Sequence, residues 1–181
     1  MNQVSVRDSR GTGDDRRWME SVYRDYLTDL APSASGIFPV LREVGHREPD
    51  QLARWFADAN AHAVIILFGD ARVGFAMVSH RLRDAGAAGA GTDMGGGAPE
   101  FSMAEFFIAR GWRRRGIGAQ AARLILDRFT GQWLITQHLR NTTAVEFWRR
   151  VVAAYTGGKY QERMLNGEVH QRFESGSRRL R

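Results

Sequence analysis

A turn of three arginines and two glycines, WRRRGIGAQAA at residues 112–122, constrains the fold of this chain more than any other feature. It follows EFSMAEFFIAR, a largely apolar run typical of a buried strand, and leads into residues 117–129, where apolar side chains recur at helical spacing. A helix N-terminus carries unpaired N–H groups and a partial positive charge, and glycine lets a ligand approach the backbone closely. The pattern therefore predicts an anion site at a strand-to-helix turn. A tight turn with solvated arginines is the alternative interpretation.

Most of the positive charge of the chain is concentrated at this turn. The net charge is +6, and residues 110–128 contain six arginines against one aspartate. Further arginines lie in residues 175–181, which we interpret as a basic tail after a single domain spanning residues 1–174. A nucleic-acid surface usually draws its basic residues from several elements, so this distribution argues against a nucleic-acid partner.

Composition excludes several kinds of site. The chain has no cysteine, which rules out disulfides, thiolate metal ligands and a cysteine nucleophile. Its five histidines show no metal-ligand spacing, so we expect no metal. No apolar run approaches the roughly 18 residues that span a bilayer, and the first residues do not form an apolar signal segment. We therefore expect a cytoplasmic protein without a membrane partner.

The periodicity of the whole chain predicts a mixed α/β fold. In chain order the predicted elements are strand 3–9, helix 14–30, loop 31–48, helix 48–59, strands 61–68 and 71–83, a glycine-rich mobile loop 84–99, strand 101–109, helix 117–129, strand 132–137, helix 143–153 and a hairpin at 160–173. Asn166-Gly167 is a strong signal for the hairpin turn, and Thr143 with Glu146 has the spacing of a capping box. Strand, helix and strand between 101 and 137 predict a right-handed crossover that joins parallel strands.

The glycine turn differs from two common nucleotide-binding loops. The Walker pattern G-x-x-x-x-G-K-S/T is absent. The dinucleotide pattern G-x-G-x-x-G fits poorly: Ala121 is a tolerable substitute for the third glycine, but the first glycine would be Gly116, already inside the turn. No carboxylate ends a second strand about 20 residues later, because Asp127 lies within the predicted helix.

The run EFFIARGWRRRGIGAQAARLIL instead resembles the acetyl-CoA-binding core of the GNAT N-acetyltransferase superfamily, whose pyrophosphate loop has the pattern Gln/Arg-x-x-Gly-x-Gly/Ala. Downstream, NTTAVEFWRR is similar to a second family segment, with Asn141, Ala144, Phe147 and Trp148 in register. The order of elements is similar over nearly the whole chain. This resemblance implies a central mixed, mostly antiparallel sheet flanked by helices, with two splayed central strands. It also implies an acetyl-CoA-dependent N-acetyltransferase.

The resemblance also implies where acetyl-CoA would bind. Backbone groups near Ile108 and Arg110 would pair with the pantetheine arm, and the thioester would enter between strands 101–109 and 132–137. Asn141 would contact the pantetheine or the leaving sulfur. The pyrophosphate would be held by main-chain N–H groups of the loop, namely those of Arg113, Arg114, Arg115, Gly116, Ile117, Gly118 and Ala119.

Direct acetyl transfer to an amine needs a base and a proton for the leaving thiolate, but no covalent enzyme intermediate. Glu105, within an apolar strand, is the candidate base, since burial raises the pKa of a carboxyl group. The alternative is that Glu105 faces solvent or pairs with an arginine. His80 and Glu100 are reserve candidates.

The general acid is a departure from the family pattern. Many members have a tyrosine where this chain has Trp148, and an indole N–H can hydrogen-bond the sulfur but does not ionise usefully. A core position is the alternative for Trp148, and Tyr155 is the alternative acid, followed by Tyr160 or solvent. The departure keeps open a second hypothesis, a non-catalytic acyl-CoA-binding or sensor domain on the same fold.

The sequence does not fix the acceptor, which is a small-molecule or protein amine. The family resemblance places its site among residues 27–60, the segment 84–99 and the last hairpin. Acidic residues in these regions are compatible with a cationic amine. A homodimer is left open.

Overall fold

A computed structural model describes residues 3–10, 13–30, 49–81 and 100–176 of the chain. The strands are β1 (Val4–Asp8), β2 (Ala61–Phe68), β3 (Ala71–His80), β4 (Phe101–Ile108), β5 (Gln132–His138), β6 (Gln161–Leu165) and β7 (Glu168–Glu174). The helices are α1 (Gly13–Leu30), α2 (Pro49–Ala57), α3 (Ile117–Arg128) and α4 (Thr142–Thr156), with a 3-10 turn at Arg110–Trp112. The predicted loops 31–48 and 84–99, and most of the predicted tail, lie outside the described residues.

These strands form one sheet in the order β1-β2-β3-β4-β5-β7-β6. Neighbouring strands are antiparallel except β4 and β5, which run parallel and are joined through α3. The mixed, mostly antiparallel sheet and the crossover between parallel strands are thus confirmed.

Helices cover both faces of the sheet. On one face, here called the α1 face, α1 and α2 contribute Met19, Tyr23, Tyr26 and Leu52, which pack against Ile65, Phe75, Met77 and Phe107. On the opposite face, here called the α3 face, α3 and α4 contribute Ala122, Ile125, Trp148 and Val152, which pack against Val64, Ala76, Trp133 and Ile135. Alternation along each central strand sends successive side chains to opposite faces, so both faces bury apolar surface.

A buried carboxylate fixes the start of α1 on the sheet. Asp15, in the first turn, is fully buried, and its Oδ1 accepts hydrogen bonds from Arg7 on β1 and Arg72 on β3, each at 2.7 Å. Charge-assisted bonds of this kind are stronger than neutral ones. They position α1 so that Tyr26, three turns further along, reaches β4.

The start of α4 differs from the prediction. Asn141 is the N-cap, and its Oδ1 accepts from the N–H of Ala144 at 3.1 Å. The predicted capping box of Thr143 and Glu146 is therefore wrong, because the chain becomes helical one residue earlier and the asparagine carbonyl already satisfies the free N–H.

The last hairpin follows the prediction. Asn166 and Gly167 connect β6 to β7 with φ of 50° and 78°, the two positive values that a type I′ turn requires. Ser175, the first residue of the predicted tail, is buried, and its N–H donates to the carbonyl of Gly131 at 2.8 Å. None of the helices in the described ranges is long and apolar enough to cross a bilayer.

Candidate active site

The two parallel strands separate halfway along their length. Their pairing runs only from Phe101–Trp133 to Met103–Ile135, although β4 continues to Ile108. A bulge lies at the point of separation, since Met77 of β3 pairs with Glu105 while the next residue of β3 pairs with Met103. Bulges bend and twist a strand. The result is a cleft between residues 104–108 of β4 and 136–138 of β5.

The arginine–glycine turn lies at the open end of this cleft, directly after β4. Arg114 and Gly116 both have positive φ, at 59° and 75°, and Gly116 is the N-cap of α3. In the part of the chain that the structure describes, the backbone N–H groups of residues 114–119 donate to no protein acceptor. Consecutive N–H groups at a helix start form a binding site for an anion.

Gly118 packs this loop against its neighbours. A Cβ there would lie 3.3 Å from Cε2 of Phe147 and 3.5 Å from Cγ1 of Ile108. The absence of a side chain lets α3 begin close to both α4 and the end of β4. The two glycines therefore act differently: Gly116 supplies a backbone conformation, and Gly118 supplies space.

Two arginines beside the loop are held by α1. Arg113 donates from Nε to the carbonyl of Ile108 at 2.6 Å and from Nη2 to Asp29, and Arg110 donates to Asp29 at 2.7 and 3.0 Å. Burial would raise the pKa of Asp29, but its hydrogen bonds and charge interactions with Arg113 and Arg110 hold that pKa below its ordinary value. Both guanidinium groups thus engage the end of α1. Arg114 and Arg115 are exposed, and Arg115 lies over the ring of Trp112 at 5.4 Å.

Glu105 lies at the start of the cleft, on the α1 face. Its exposure is 5%, and burial raises its pKa to about 8. The hydroxyl of Tyr26 donates to Oε2 of Glu105. The carboxyl group therefore does not face bulk solvent, and a proton on it titrates near neutral pH. Its role as a base stays a prediction.

Sequence reasoning missed Tyr26. It lies at helical spacing among apolar residues of the predicted helix 14–30, a pattern that indicates one face of a helix and no chemical role. The one signal was its hydroxyl, because a tyrosine buried in a core usually needs a hydrogen-bond partner.

The predicted residues of α4 lie in three different settings. The side-chain oxygen of Asn141 caps the helix beside the end of β5. Trp148 is buried with its ring edge-on to Phe106 of β4, at 5.2 Å between ring centroids, and to Phe147 at 5.1 Å. This packing favours the core interpretation of Trp148.

Tyr155 lies far along α4 from the cleft. Its hydroxyl donates to Asp127 of α3 at 2.8 Å, and its position is about 20 Å along the helix axis from Asn141, at 1.5 Å per residue. The structure does not bring Tyr155 to the cleft, and its role as an acid stays a prediction. The reserve pair His80 and Glu100 lies 3.7 Å apart at the opposite, paired end of β4.

Within residues 3–10, 13–30, 49–81 and 100–176, no three histidine, aspartate or glutamate side chains lie together as a metal site would require. The expected absence of a metal stays a prediction.

A seven-stranded sheet opened between two parallel strands, with a glycine turn and a helix N-terminus at the mouth of the opening, defines the N-acyltransferase fold of the GNAT class. The sequence model of the acetyltransferase (GNAT) family matches residues 19–152. The chain therefore belongs to this family of acetyltransferases. No match was found among curated proteins.

Solved structures show the same fold. A GNAT-family acetyltransferase from Streptococcus agalactiae has a TM-score of 0.64 at 12% identity, with 97% of both chains covered. A PaiA N-acetyltransferase from Thermoplasma acidophilum in complex with coenzyme A has a TM-score of 0.62 at 8% identity, covering 95% of this chain and 99% of that one. NAA60 from Arabidopsis thaliana in complex with acetyl-CoA has a TM-score of 0.59 at 12% identity, covering 95% and 98%.

Proposed function

We propose that the protein transfers an acetyl group from acetyl-CoA to a primary amine by direct attack, within one domain of residues 1–174. The observation that carries this proposal is the meeting of the β4–β5 cleft with the N–H groups of residues 114–119. Family membership and the CoA-bound similar structures support acetyl-CoA as the donor. The amine acceptor, the cytoplasmic location and the absence of nucleic-acid and membrane partners remain predictions.

The loop and the cleft suit different parts of acetyl-CoA. The backbone N–H groups of 114–119 bind the pyrophosphate, while Arg114 and Arg115 neutralise its charge. The pantetheine arm lies along residues 104–108 of β4, whose edge toward β5 has lost its partner strand. Arg113 occupies the carbonyl of Ile108 and must leave it for the arm to pair there.

Glu105 is the proposed base. The amine nitrogen attacks the thioester carbonyl carbon, its proton passes to the Glu105 carboxylate directly or through water, and the C–S bond breaks to release the thiolate of CoA. Tyr26 fixes the orientation of the carboxyl group through its hydrogen bond. Because the pKa of Glu105 is about 8, the base form accumulates only above neutral pH.

The thiolate takes its proton from solvent in this proposal. Trp148 packs between Phe106 and Phe147 and acts as a wall behind the cleft. The hydroxyl of Tyr155 donates to Asp127 and lies far from the end of β5, so Tyr155 does not supply this proton.

Trp148 at the family's usual tyrosine position favours a second candidate, an acyl-CoA sensor that binds without transfer. The test measures thiol release from acetyl-CoA across a panel of small amines and amine-bearing peptides. Transfer predicts release that depends on one class of amine and an acetylated product by mass spectrometry. Tight binding of acetyl-CoA with no amine-dependent release would establish the sensor instead.

A further inference from the structure

We propose that the side-chain amide of Gln137 binds the pantetheine arm of acetyl-CoA by paired hydrogen bonds and so positions the thioester in the cleft. This inference rests on the proposed function, because it requires acetyl-CoA between β4 and β5. It assigns a positioning role to a residue that neither sequence motif includes.

Gln137 stands where the cleft opens. It follows Ile135, the last residue of β5 that pairs with β4, by two positions. Side chains alternate along a strand, so Gln137 shares the α3 face with Trp133 and Ile135. On its other side β5 remains paired to β7, with Val169 opposite Gln137. The residue therefore belongs to the fixed wall of the cleft.

The amide of Gln137 is buried without a protein partner. The residue is 6% exposed, and within the described residues neither its Oε1 nor its Nε2 has a hydrogen-bond partner. Buried polar atoms are nearly always hydrogen-bonded, because leaving them unsatisfied destabilises the fold. The other side chains that face this way from β5, Trp133 and Ile135, are apolar. An amide with both ends unsatisfied at the edge of a ligand cleft points to the ligand as its partner.

The side-chain amide of Gln137 and the amides of the pantetheine arm have complementary hydrogen-bond donors and acceptors. A glutamine side chain offers a carbonyl acceptor and an N–H donor from one planar amide. The pantetheine arm contains two secondary amides, each with one N–H and one carbonyl. A trans amide points its N–H and its carbonyl in opposite directions, so Gln137 pairs with both pantetheine amides: its Oε1 accepts from the N–H of one and its Nε2 donates to the carbonyl of the other. An apolar residue there would leave these pantetheine groups unpaired.

An internal water is the competing explanation. Gln171 of β7 pairs with Ile135, lies on the same face and is fully buried. Its Nε2 donates to Glu162 at 2.9 Å, while its Oε1 has no partner within the described residues. A water joining the two glutamines would make Gln137 purely structural. Because Gln171 lies one strand away from the cleft, its replacement serves as the matched control.

The test compares Gln137→Met with Gln171→Met by calorimetric titration with acetyl-CoA and with ADP, which carries the diphosphate without the pantetheine arm. Gln137→Met, which keeps the shape and removes the amide, is expected to leave the melting temperature unchanged or higher. It is expected to weaken acetyl-CoA binding about tenfold, the effect of losing one such polar pairing, and to leave ADP binding unchanged. Gln171→Met should leave acetyl-CoA binding unchanged. Gln137→Asn, which retracts the amide by one methylene, gives a second measurement if the methionine variant does not fold.

The outcomes separate this inference from the proposed function. An unchanged acetyl-CoA affinity in both Gln137 variants overturns the role of Gln137. Equal weakening of acetyl-CoA and ADP, or equal effects of Gln171→Met, overturns it as well, since the disturbance would then be general. Absence of acetyl-CoA binding by the unmodified protein overturns the proposed function itself.

Discussion

The carboxyl group of Glu105 is buried on the α1 face at the start of the cleft. Burial raises its pKa from 4.5 to about 8, and Tyr26 donates a hydrogen bond to it. A donor favours the charged form and opposes the effect of burial. The pair thus sets both the proton affinity of the proposed base and its direction in the cleft.

Glu105→Gln is expected to lower kcat about a hundredfold to a thousandfold, the range typical for loss of a general base. With an acceptor whose amine is neutral over the pH range used, kcat/KM of the unmodified protein should rise with pH through about 8 and level off beyond it, because only the carboxylate accepts a proton. The variant should lack this rise of kcat/KM with pH, here called the ascending limb, and should keep its acetyl-CoA affinity. Steady-state rates from pH 6 to 10 check this. If kcat/KM of the variant depends on pH as in the unmodified protein, the ascending limb belongs to another group.

The same carboxyl group makes stability depend on pH. Its pKa is higher in the folded protein than the ordinary 4.5, so the folded state binds more protons between the two values. Its contribution to stability is therefore complete below pH 4.5 and declines as the pH rises toward about 8. Urea unfolding at several pH values should show this decline, and Glu105→Gln should make the curve flatter over that interval. An equally steep curve in the variant would contradict the shifted pKa.

Tyr26→Phe removes a hydrogen bond to the base while keeping the ring. Because the lost donor favoured the charged carboxylate, the pKa of Glu105 should rise further, and the ascending limb of kcat/KM should move to higher pH. Tyr23→Phe, one turn earlier on the same buried stripe, is the control and should leave the limb in place. A limb that moves in neither variant would show that Tyr26 does not act on Glu105.

Among the turns, Gly116 allows a test that separates backbone conformation from stability. An alanine at φ of 75° destabilises this backbone conformation by about 1 kcal/mol or more. The loop can relieve this strain only by a change of conformation, which moves its N–H groups. Gly116→Ala should therefore weaken acetyl-CoA binding about tenfold, an effect of about 1.4 kcal/mol.

Gly157, which ends α4 with φ of 63° and has open space around it, supplies the matched control. Gly157→Ala should lose a similar amount of stability in denaturant unfolding but keep the acetyl-CoA affinity. Equal loss of affinity in both variants would show that global destabilisation, rather than the loop, is responsible.

Asp29 of α1 hydrogen-bonds Arg113 beside the loop, a contact here called the tether. Unlike the preceding substitutions, its removal is expected to strengthen acetyl-CoA binding. Asp29 holds Arg113 on the carbonyl of Ile108, so Asp29→Asn frees that arginine and removes a negative charge near the pyrophosphate site. Acetyl-CoA should then bind about threefold to tenfold more tightly at low salt, and the gain should shrink at high salt. Asp25→Asn, one turn earlier on α1, removes the same charge without that hydrogen bond and should have a smaller effect. Weaker binding by Asp29→Asn would mean that the tether orders the loop for the ligand.

Local patterns predicted most elements, and long-range contacts account for what they missed. The strand-to-helix turn, the crossover helix and the Asn166-Gly167 turn depend on neighbouring residues, and the structure confirms these three elements. The hydrogen bond from Tyr26 to Glu105 joins residues 79 positions apart, and the bulge in β4 depends on its register with β3. Neither has a local signature. At the start of α4 the spacing of Thr143 and Glu146 predicts a capping box, whereas the N-cap in the structure is Asn141.

At the scale of the whole molecule, the sheet is a frame that opens between β4 and β5. Five antiparallel pairings hold the strands on either side, and the one parallel pairing closes only half of its length. Helices on both faces bury the sheet around this opening, with Glu105 on the α1 face and Gln137 on the α3 face. In the proposed mechanism the amine therefore reaches the thioester from the α1 face, and Gln137 contacts the pantetheine arm from the α3 face.

Amide hydrogen exchange of the full chain, with and without acetyl-CoA, tests whether the loop holds the coenzyme. Slower exchange in residues 114–119 and along residues 104–108 of β4 is the expected result, because bound pyrophosphate and pantetheine would accept from those N–H groups. Unchanged exchange in both segments at saturating acetyl-CoA would contradict the binding site proposed for this protein.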